Sequence, residues 1–229
     1  EGTVLVVGGG QSGAQIADEL REAGRGVYLS VGRSKRVPRR YRGRDTVFWL
    51  AETGMLDRTV DQLENPADRF VANAMASGKG GGKDLGLHRF AREGVRLLGR
   101  LEACDDRTVR FADTLRETLQ EMEAGVRQLT MGIDALVAKK RLDVPPAGED
   151  EAAESVDGYG APPMLELDLD EAGIVAVIWA TGFSYDFSWI EGPEYDSVGY
   201  PVTQRAWPGR SPSDAASTDD AHGVAVTPA

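Results

Sequence analysis

The sequence predicts an α/β fold, in which helices cover a parallel β-sheet, and the pattern begins at its first residues. Residues 4–7 are an apolar, mostly β-branched run, typical of a strand buried on both faces of a parallel sheet. A glycine-rich turn at residues 8–13 leads into a predicted helix over residues 14–23. Residues 27–31 form the next predicted strand. Together these segments make a β-α-β unit, which predicts a Rossmann-like, three-layer domain.

Two further segments extend this core. Residues 94–103 and 108–111 predict two strands joined by a three-residue turn, which is a β-hairpin insertion. Apolar residues then recur at helical spacing from Leu115 to Val137. This spacing predicts a long amphipathic helix, which Asp113 would cap.

We expect one domain over residues 1–190 and a polar, disordered tail over residues 191–229. Within the domain, residues 143–163 are acidic and rich in proline and glycine, which is typical of a long loop. A second apolar run, at residues 174–179, predicts another buried strand. The last 29 residues contain no Leu, Ile, Phe or Met, so they lack the side chains that build a core.

Composition excludes several classes of function. The chain of 229 residues carries a net charge of −11, which disfavours binding to the phosphates of a nucleic acid. No apolar run is long enough to span a bilayer, and no signal peptide is visible. The single cysteine, Cys104, excludes an internal disulfide and is typical of a reducing compartment. We therefore expect a cytoplasmic protein that acts on a small molecule and binds neither nucleic acid nor membranes.

The glycine-rich turn has the full pattern Gly8-x-Gly10-x-x-Gly13, which is typical of a site for the pyrophosphate of a dinucleotide. Gly8 permits a tight turn, Gly10 lets the pyrophosphate approach the backbone, and Gly13 lets the helix pack against the strand. The helix N-terminus favours an anion through its N–H groups and its dipole. Gln11 and Ser12 can add side-chain hydrogen bonds. The alternative is a glycine-rich turn without a ligand.

The residues after the second strand indicate which dinucleotide would bind. Sites for NAD place an acidic residue on the ribose hydroxyls about 20 residues after the loop. This chain has no acidic residue between positions 22 and 45. It has hydroxyl and basic side chains there instead, which suit the 2′-phosphate of NADPH better than NADH. Arg33 is the first candidate for the phosphate contact, and Ser30, Lys35 and Arg36 are the others.

Other candidates carry weaker signals. His88 is a lone histidine, for which a structural role is expected. The segment 77–83 resembles a phosphate-binding loop but has no Ser or Thr after either Gly-Lys pair. Two histidines and one cysteine predict no metal site. The residues identify no catalytic acid or base.

Three segments together resemble the flavoprotein monooxygenases: the glycine loop, Ser-Val-Gly-Arg at residues 30–33, and Ala-Thr-Gly at residues 180–182. That family includes flavin-containing and Baeyer–Villiger monooxygenases and related bacterial FAD-dependent NAD(P)H oxidoreductases, in which an NADPH domain is inserted into an FAD domain. The resemblance implies FAD as a second cofactor, reduced by NADPH. It also implies that residues 174–183 return towards an FAD domain, and we place Thr181 and Gly182 among the cofactor-binding residues.

The resemblance covers residues 1 to about 200 and lacks two of the family's features. The earlier glycine loop for FAD is absent, and so is the Phe-x-Gly-x-x-x-His signature between the two loops. We therefore expect an internal fragment of a longer flavoprotein, which supplies NADPH binding. Two alternatives are a stand-alone regulatory module that senses NAD(P) without redox activity, and a small NADPH reductase.

Overall fold

The computed structural model describes residues 2–59, 62–65, 69, 74–76, 78–148 and 156–202. Contacts divide the chain into two units, Glu1–Gly182 and Phe183–Ala229. The first unit contains, in chain order, β1 (Thr3–Val7), α1 (Gln11–Glu22), β2 (Gly26–Ser30), β3 (Arg40–Tyr41), β4 (Arg44–Asp45), α2 (Thr46–Glu52), α3 (Leu87–Arg92), β5 (Arg96–Leu98), β6 (Leu101–Asp105), β7 (Thr108–Phe111), α4 (Leu115–Lys140), β8 (Glu166–Asp168) and β9 (Ile174–Trp179).

A four-stranded parallel sheet forms the centre of the first unit and confirms the predicted α/β class. Its strand order is β5-β2-β1-β9, and each neighbouring pair is parallel. After β1, the chain forms β2 on one side of β1, and the later strand β9 pairs with β1 on its other side. This reversal of strand order is the topological switch point at which open parallel sheets bind ligands.

The two faces of this sheet are covered differently. Val4 and Val6 point to a buried cluster that includes residues of α1, α3 and α4. Leu5 and Val7 point to the other face, where they pack against β7 and β8. This alternation follows from the two-residue period of a strand. The three layers are therefore helices, a parallel sheet and a small antiparallel sheet.

The predicted hairpin is confirmed as β6 and β7, but its first strand is shorter than predicted. Residues 94–103 divide into β5, which joins the parallel sheet, and β6, which pairs antiparallel with β7. The division falls at Gly99, where a Cβ atom would overlap the carbonyl oxygen of Ala112. This close approach turns the chain from one sheet into the other. β7 also pairs with β8, so the hairpin is part of a three-stranded antiparallel sheet.

The predicted long helix is confirmed, but its cap is not Asp113. α4 spans 26 residues, and its N-cap is Thr114. The Thr114 hydroxyl accepts a hydrogen bond from the Arg100 backbone N–H at 3.4 Å, which ties the start of α4 to the turn between the two sheets. Within the described part of the chain, α4 included, no helix has the length and apolar content to cross a membrane.

The C-terminal half of α4 packs against the region around α2. Trp49 and Tyr41 are buried there against Ile133 of α4. Trp49 Nε1 donates a hydrogen bond to the Tyr41 carbonyl oxygen at 2.8 Å, and the Tyr41 hydroxyl donates to Asp134 at 2.9 Å. The segment that follows residues 33–36, which we call the basic loop, is therefore anchored on α4.

The described part of the glycine-rich segment at residues 78–83 is tied to the end of α1. Lys79 and Lys83 each place Nζ near Glu22, at 2.9 and 3.1 Å from its carboxylate oxygens. Hydrogen bonds from these two ammonium groups lower the pKa of Glu22 to about 2. These contacts are at the end of α1 opposite the glycine loop.

The second unit has order of its own within residues 183–202. Tyr200 packs edge-on against Tyr185 and Phe187, and Tyr195 forms an antiparallel bridge with Pro201. The expected boundary at residue 190 therefore separates residues that are in contact. The expected tail beyond residue 202 lies outside the described residues.

We predict that Trp49→Ala lowers the free energy of unfolding by about 3–5 kcal/mol, because it removes a fully buried indole and leaves a cavity against α4. Urea denaturation followed by circular dichroism measures the loss. Val47→Ala is the matched control in the same helix, since Val47 is 54% exposed and its truncation should change stability by no more than about 0.5 kcal/mol. Equal losses in the two variants would contradict the packing of α2 on α4.

Candidate dinucleotide-binding site

The glycine loop lies at the switch point of the parallel sheet. Gly8 follows β1, and its backbone N–H donates to the carbonyl oxygen of Ser30 at the end of β2, at 2.9 Å. On the other side, the Ala180 N–H donates to the carbonyl oxygen of Val7 at 2.7 Å. The carboxyl ends of β1, β2 and β9 therefore meet around the loop. A ligand in the crevice outside these ends would contact all three.

The three glycines of the pattern have different surroundings. Gly8 has φ +115°, and a Cβ atom there would overlap the carbonyl oxygen of Ala180. A Cβ atom at Gly13 would overlap the carbonyl oxygen of Gly8. At Gly10, apart from Gly10 itself and its neighbours along the chain, no atom of the described residues comes within 4 Å of the position that a Cβ would take. Gly8 and Gly13 therefore allow close packing, whereas Gly10 faces the open space that a pyrophosphate would fill.

The start of α1 is suited to an anion. Gly10 is its N-cap, and the Gly10 carbonyl accepts from the Ala14 N–H at 2.9 Å. Gly10 has no side chain to accept a hydrogen bond from the N–H groups of Gln11, Ser12 and Gly13, which lack partners within the helix. The first turn contains no acidic residue. The helix dipole therefore acts on the crevice without a neighbouring negative charge.

Gln11 is directed to the protein rather than to the crevice. Its Nε2 donates to the Ala76 carbonyl at 2.6 Å, and its Oε1 accepts from the Ala76 N–H at 2.8 Å. Both halves of the amide are thus used to hold residues 74–76 beside the glycine loop. Ser12 is exposed at the same helix end, where its hydroxyl is available to a ligand.

The predicted 2′-phosphate residues fall into two groups. Ser30 is buried, and its hydroxyl donates to the Gly99 carbonyl at 2.9 Å. Arg36 donates to both carboxylate oxygens of Glu123, at 2.9 and 2.7 Å. Arg33 and Lys35 are exposed, and neither side chain has an ion pair or hydrogen bond with another described residue. Of the four candidates, only Arg33 and Lys35 thus have cationic groups available to a phosphate.

Ser34 connects these cations to the glycine loop. Its hydroxyl donates to the Gly9 carbonyl at 2.8 Å, and a Cβ atom at Gly9 would come close to Val31 and Ser34. Sequence reasoning did not identify Ser34, although a hydroxyl residue between Arg33 and Lys35 was a visible signal. The contact places the basic loop directly beside the crevice.

The predicted return segment borders the same crevice. Thr181 and Gly182 are exposed and follow Ala180, whose carbonyl limits the space at Gly8. The Ala180 Cβ lies 3.3 Å from the position that a Cβ at Gly13 would take. The structure therefore brings the glycine loop and residues 180–182 together, although about 170 residues separate them in the sequence.

His88 is in the protein interior and away from the crevice. Its Nδ1 accepts a hydrogen bond from the Gly158 N–H at 2.9 Å, and its ring packs edge-on against Tyr159. These contacts agree with a structural role for His88.

Comparison with known proteins finds a similarity to a protein described as an oxidoreductase. The chain is 28% identical over 207 residues to a protein of Geobacillus kaustophilus (strain HTA426) described as an uncharacterized, CzcO-like oxidoreductase. The match covers 90% of this chain and 42% of the relative, so the chain spans less than half of the relative's length. No protein-family model and no solved structure matches the chain.

We predict effects of different size on stability for two substitutions in the glycine loop. Gly13→Ala should lower the free energy of unfolding by about 1–3 kcal/mol, because its methyl group forces α1 away from β1. Gly10→Ala places its methyl group in open space and should change stability by less than about 1 kcal/mol. Urea denaturation compares the two variants. Similar stabilities would contradict the tight packing at Gly13.

Proposed function

We propose that this chain is the NADPH-binding part of an FAD-dependent oxidoreductase of the monooxygenase type, and that it positions NADPH for hydride transfer to flavin. The observation that carries the proposal is the open space at Gly10, the N-cap of α1, together with the hydrogen bond from Ser34 of the basic loop to the adjacent Gly9 carbonyl. The similarity to an oxidoreductase supports the redox part and favours it over a regulatory module that senses NAD(P).

Each part of the crevice would hold one part of the coenzyme. The backbone N–H groups of residues 11–13 would bind the pyrophosphate, with Ser12 adding its hydroxyl. Arg33 would pair with the 2′-phosphate through its planar guanidinium, and Lys35 would add a second positive charge. Thr181 and Gly182 would border the coenzyme on the side of β9. NADPH, when bound, supplies the hydride, and the acceptor flavin would lie outside this chain.

The coenzyme assignment is tested by measuring the dissociation constants of NADPH and NADH by calorimetry. We expect wild-type protein to prefer NADPH. Arg33→Ala should weaken NADPH about 10- to 100-fold, as expected for the loss of a hydrogen bond between charged groups, and leave NADH nearly unchanged.

Arg25→Ala is the matched control for this experiment. Arg25 is also an exposed arginine, but it precedes β2, at the opposite end of the strand from Arg33. Its removal should alter neither affinity. Equal weakening of NADPH and NADH by Arg33→Ala would refute the 2′-phosphate contact, and no binding of either coenzyme would refute the dinucleotide site.

The redox part is tested on the full-length gene product. We expect it to contain oxidised flavin, absorbing near about 450 nm, and to lose that absorbance when NADPH is added without oxygen. NADH should act more slowly at the same concentration. A gene product without flavin, or one whose flavin NADPH does not reduce, would refute the redox part of the proposal. The calorimetry would still decide the coenzyme assignment.

A further inference from the structure

A buried ion pair joins the long helix α4 to the basic loop beside the crevice. The Arg36 guanidinium donates to both oxygens of Glu123, at 2.9 and 2.7 Å. The side chains of Arg36 and Glu123 are only 10% and 4% exposed. If either side chain moved away, the other would be left as an uncompensated charge in the interior. The ion pair therefore restrains the positions of both side chains.

A histidine side chain also faces the carboxylate of Glu123. His88 Nε2 lies 4.0 Å from Glu123 Oε1. Because His88 Nδ1 accepts from the Gly158 N–H, a neutral His88 carries its proton on Nε2, the atom that faces Glu123. At 4.0 Å this N–H group is beyond hydrogen-bond distance, so Arg36 makes the direct hydrogen bonds to the carboxylate.

Residues 74–76 connect the same loop to the glycine loop. Met75 is fully buried and forms a parallel bridge with Arg36. The Met75 N–H donates to the Lys35 carbonyl at 2.8 Å, and the next residue, Ala76, binds both halves of the Gln11 amide. The loop that carries Arg33 and Lys35 is thus held by Glu123 on one side and linked to the first residue of α1 on the other.

We propose that Glu123 is a positioning residue for coenzyme selection. By fixing Arg36, it holds the preceding backbone in the conformation that presents Arg33 and Lys35 to the 2′-phosphate. The inference rests on the proposed function and deepens it. Glu123 neutralises Arg36, so the attraction for the phosphate comes from the two available cations and not from Arg36.

The effect of Glu123→Gln on NADPH affinity separates this role from a direct contact. If Arg36 binds the 2′-phosphate itself, removing the competing carboxylate frees a cation, and NADPH binds more tightly. If Glu123 positions the loop, the same substitution loosens residues 33–36, and NADPH binds more weakly. NADH has no 2′-phosphate, so its affinity changes little in the second case.

We expect Glu123→Gln to weaken NADPH by about 3- to 30-fold, the range typical of residues that act through a neighbour, and to change NADH by less than about twofold. Asp134→Asn is the matched control. Asp134 is also on α4 and pairs with Arg42 at 2.8 Å, beyond the loop that would select the coenzyme. This variant should keep the preference for NADPH.

A double substitution, Arg36→Gln with Glu123→Gln, tests the same inference if Glu123→Gln alone does not fold. It removes both charges together, so no unpaired charge remains in the interior. Two amides can form a hydrogen bond in place of the ion pair, and the double variant should recover most of the NADPH preference. A direct phosphate contact by Arg36 would instead give this variant weaker binding than Glu123→Gln alone.

Hydrogen exchange of the Met75 amide in nucleotide-free protein gives a readout that does not depend on the coenzyme. Glu123→Gln should speed this exchange, and Asp134→Asn should not.

Unchanged exchange with an unchanged NADPH preference would overturn the inference and leave the proposed function standing. Tighter NADPH binding by Glu123→Gln would also overturn it. Wild-type protein that does not distinguish the coenzymes would overturn both, because no preference would then exist for Glu123 to support.

Discussion

The close approach of three backbone segments at one end of the parallel sheet determines the rest of this structure. Gly8, at the end of β1, lies against the carbonyl of Ala180, and Gly13 in α1 lies against the carbonyl of Gly8. Neither position has room for a Cβ atom. This contact seats the N-terminus of α1 between β1 and β9, so the helix dipole and the N–H groups of its first turn converge on the crevice.

The positive charges of the basic loop differ in their surroundings, and the roles that we propose for them differ accordingly. The basic loop is rich in arginine and lysine, yet the buried carboxylate of Glu123 already binds Arg36. Arg33 and Lys35 are exposed and have no partners among the described residues, so their charge is available to a ligand. One strongly paired arginine thus stiffens the loop, and the available cations can attract a phosphate without first breaking an internal contact.

The additions to the minimal α/β unit support this arrangement from two sides. The antiparallel sheet β6-β7-β8 covers the face of the parallel sheet opposite the helices, so both faces of β1 are buried. The long helix α4 covers the helical face and carries Glu123 to the basic loop. Its C-terminal half holds Trp49 and Tyr41, which anchor the chain after that loop. The similarity to an oxidoreductase spans both additions.

The sequence by itself determined the local features of this protein. Apolar runs predicted β1, β2 and β9, helical spacing predicted α4, and the glycine pattern predicted the turn between β1 and α1, because each depends on neighbouring residues. The expected burial of β9 was wrong, because it lies at the edge of the described sheet with Val175 and Trp179 exposed. Sequence spacing also contained a signal for Glu123. It lies four residues after Leu119 and three before Val126, on the buried face of α4, where a carboxylate needs a cation.

Only the tertiary structure decided which residues meet across the fold. Many arginines could have paired with Glu123, and the structure selects Arg36, which was predicted to contact phosphate. It likewise directs Gln11 to Ala76 and divides the predicted strand at Gly99 between two sheets. These choices depend on contacts between residues 65 and 87 positions apart, and on space for a single Cβ atom, which no local pattern encodes.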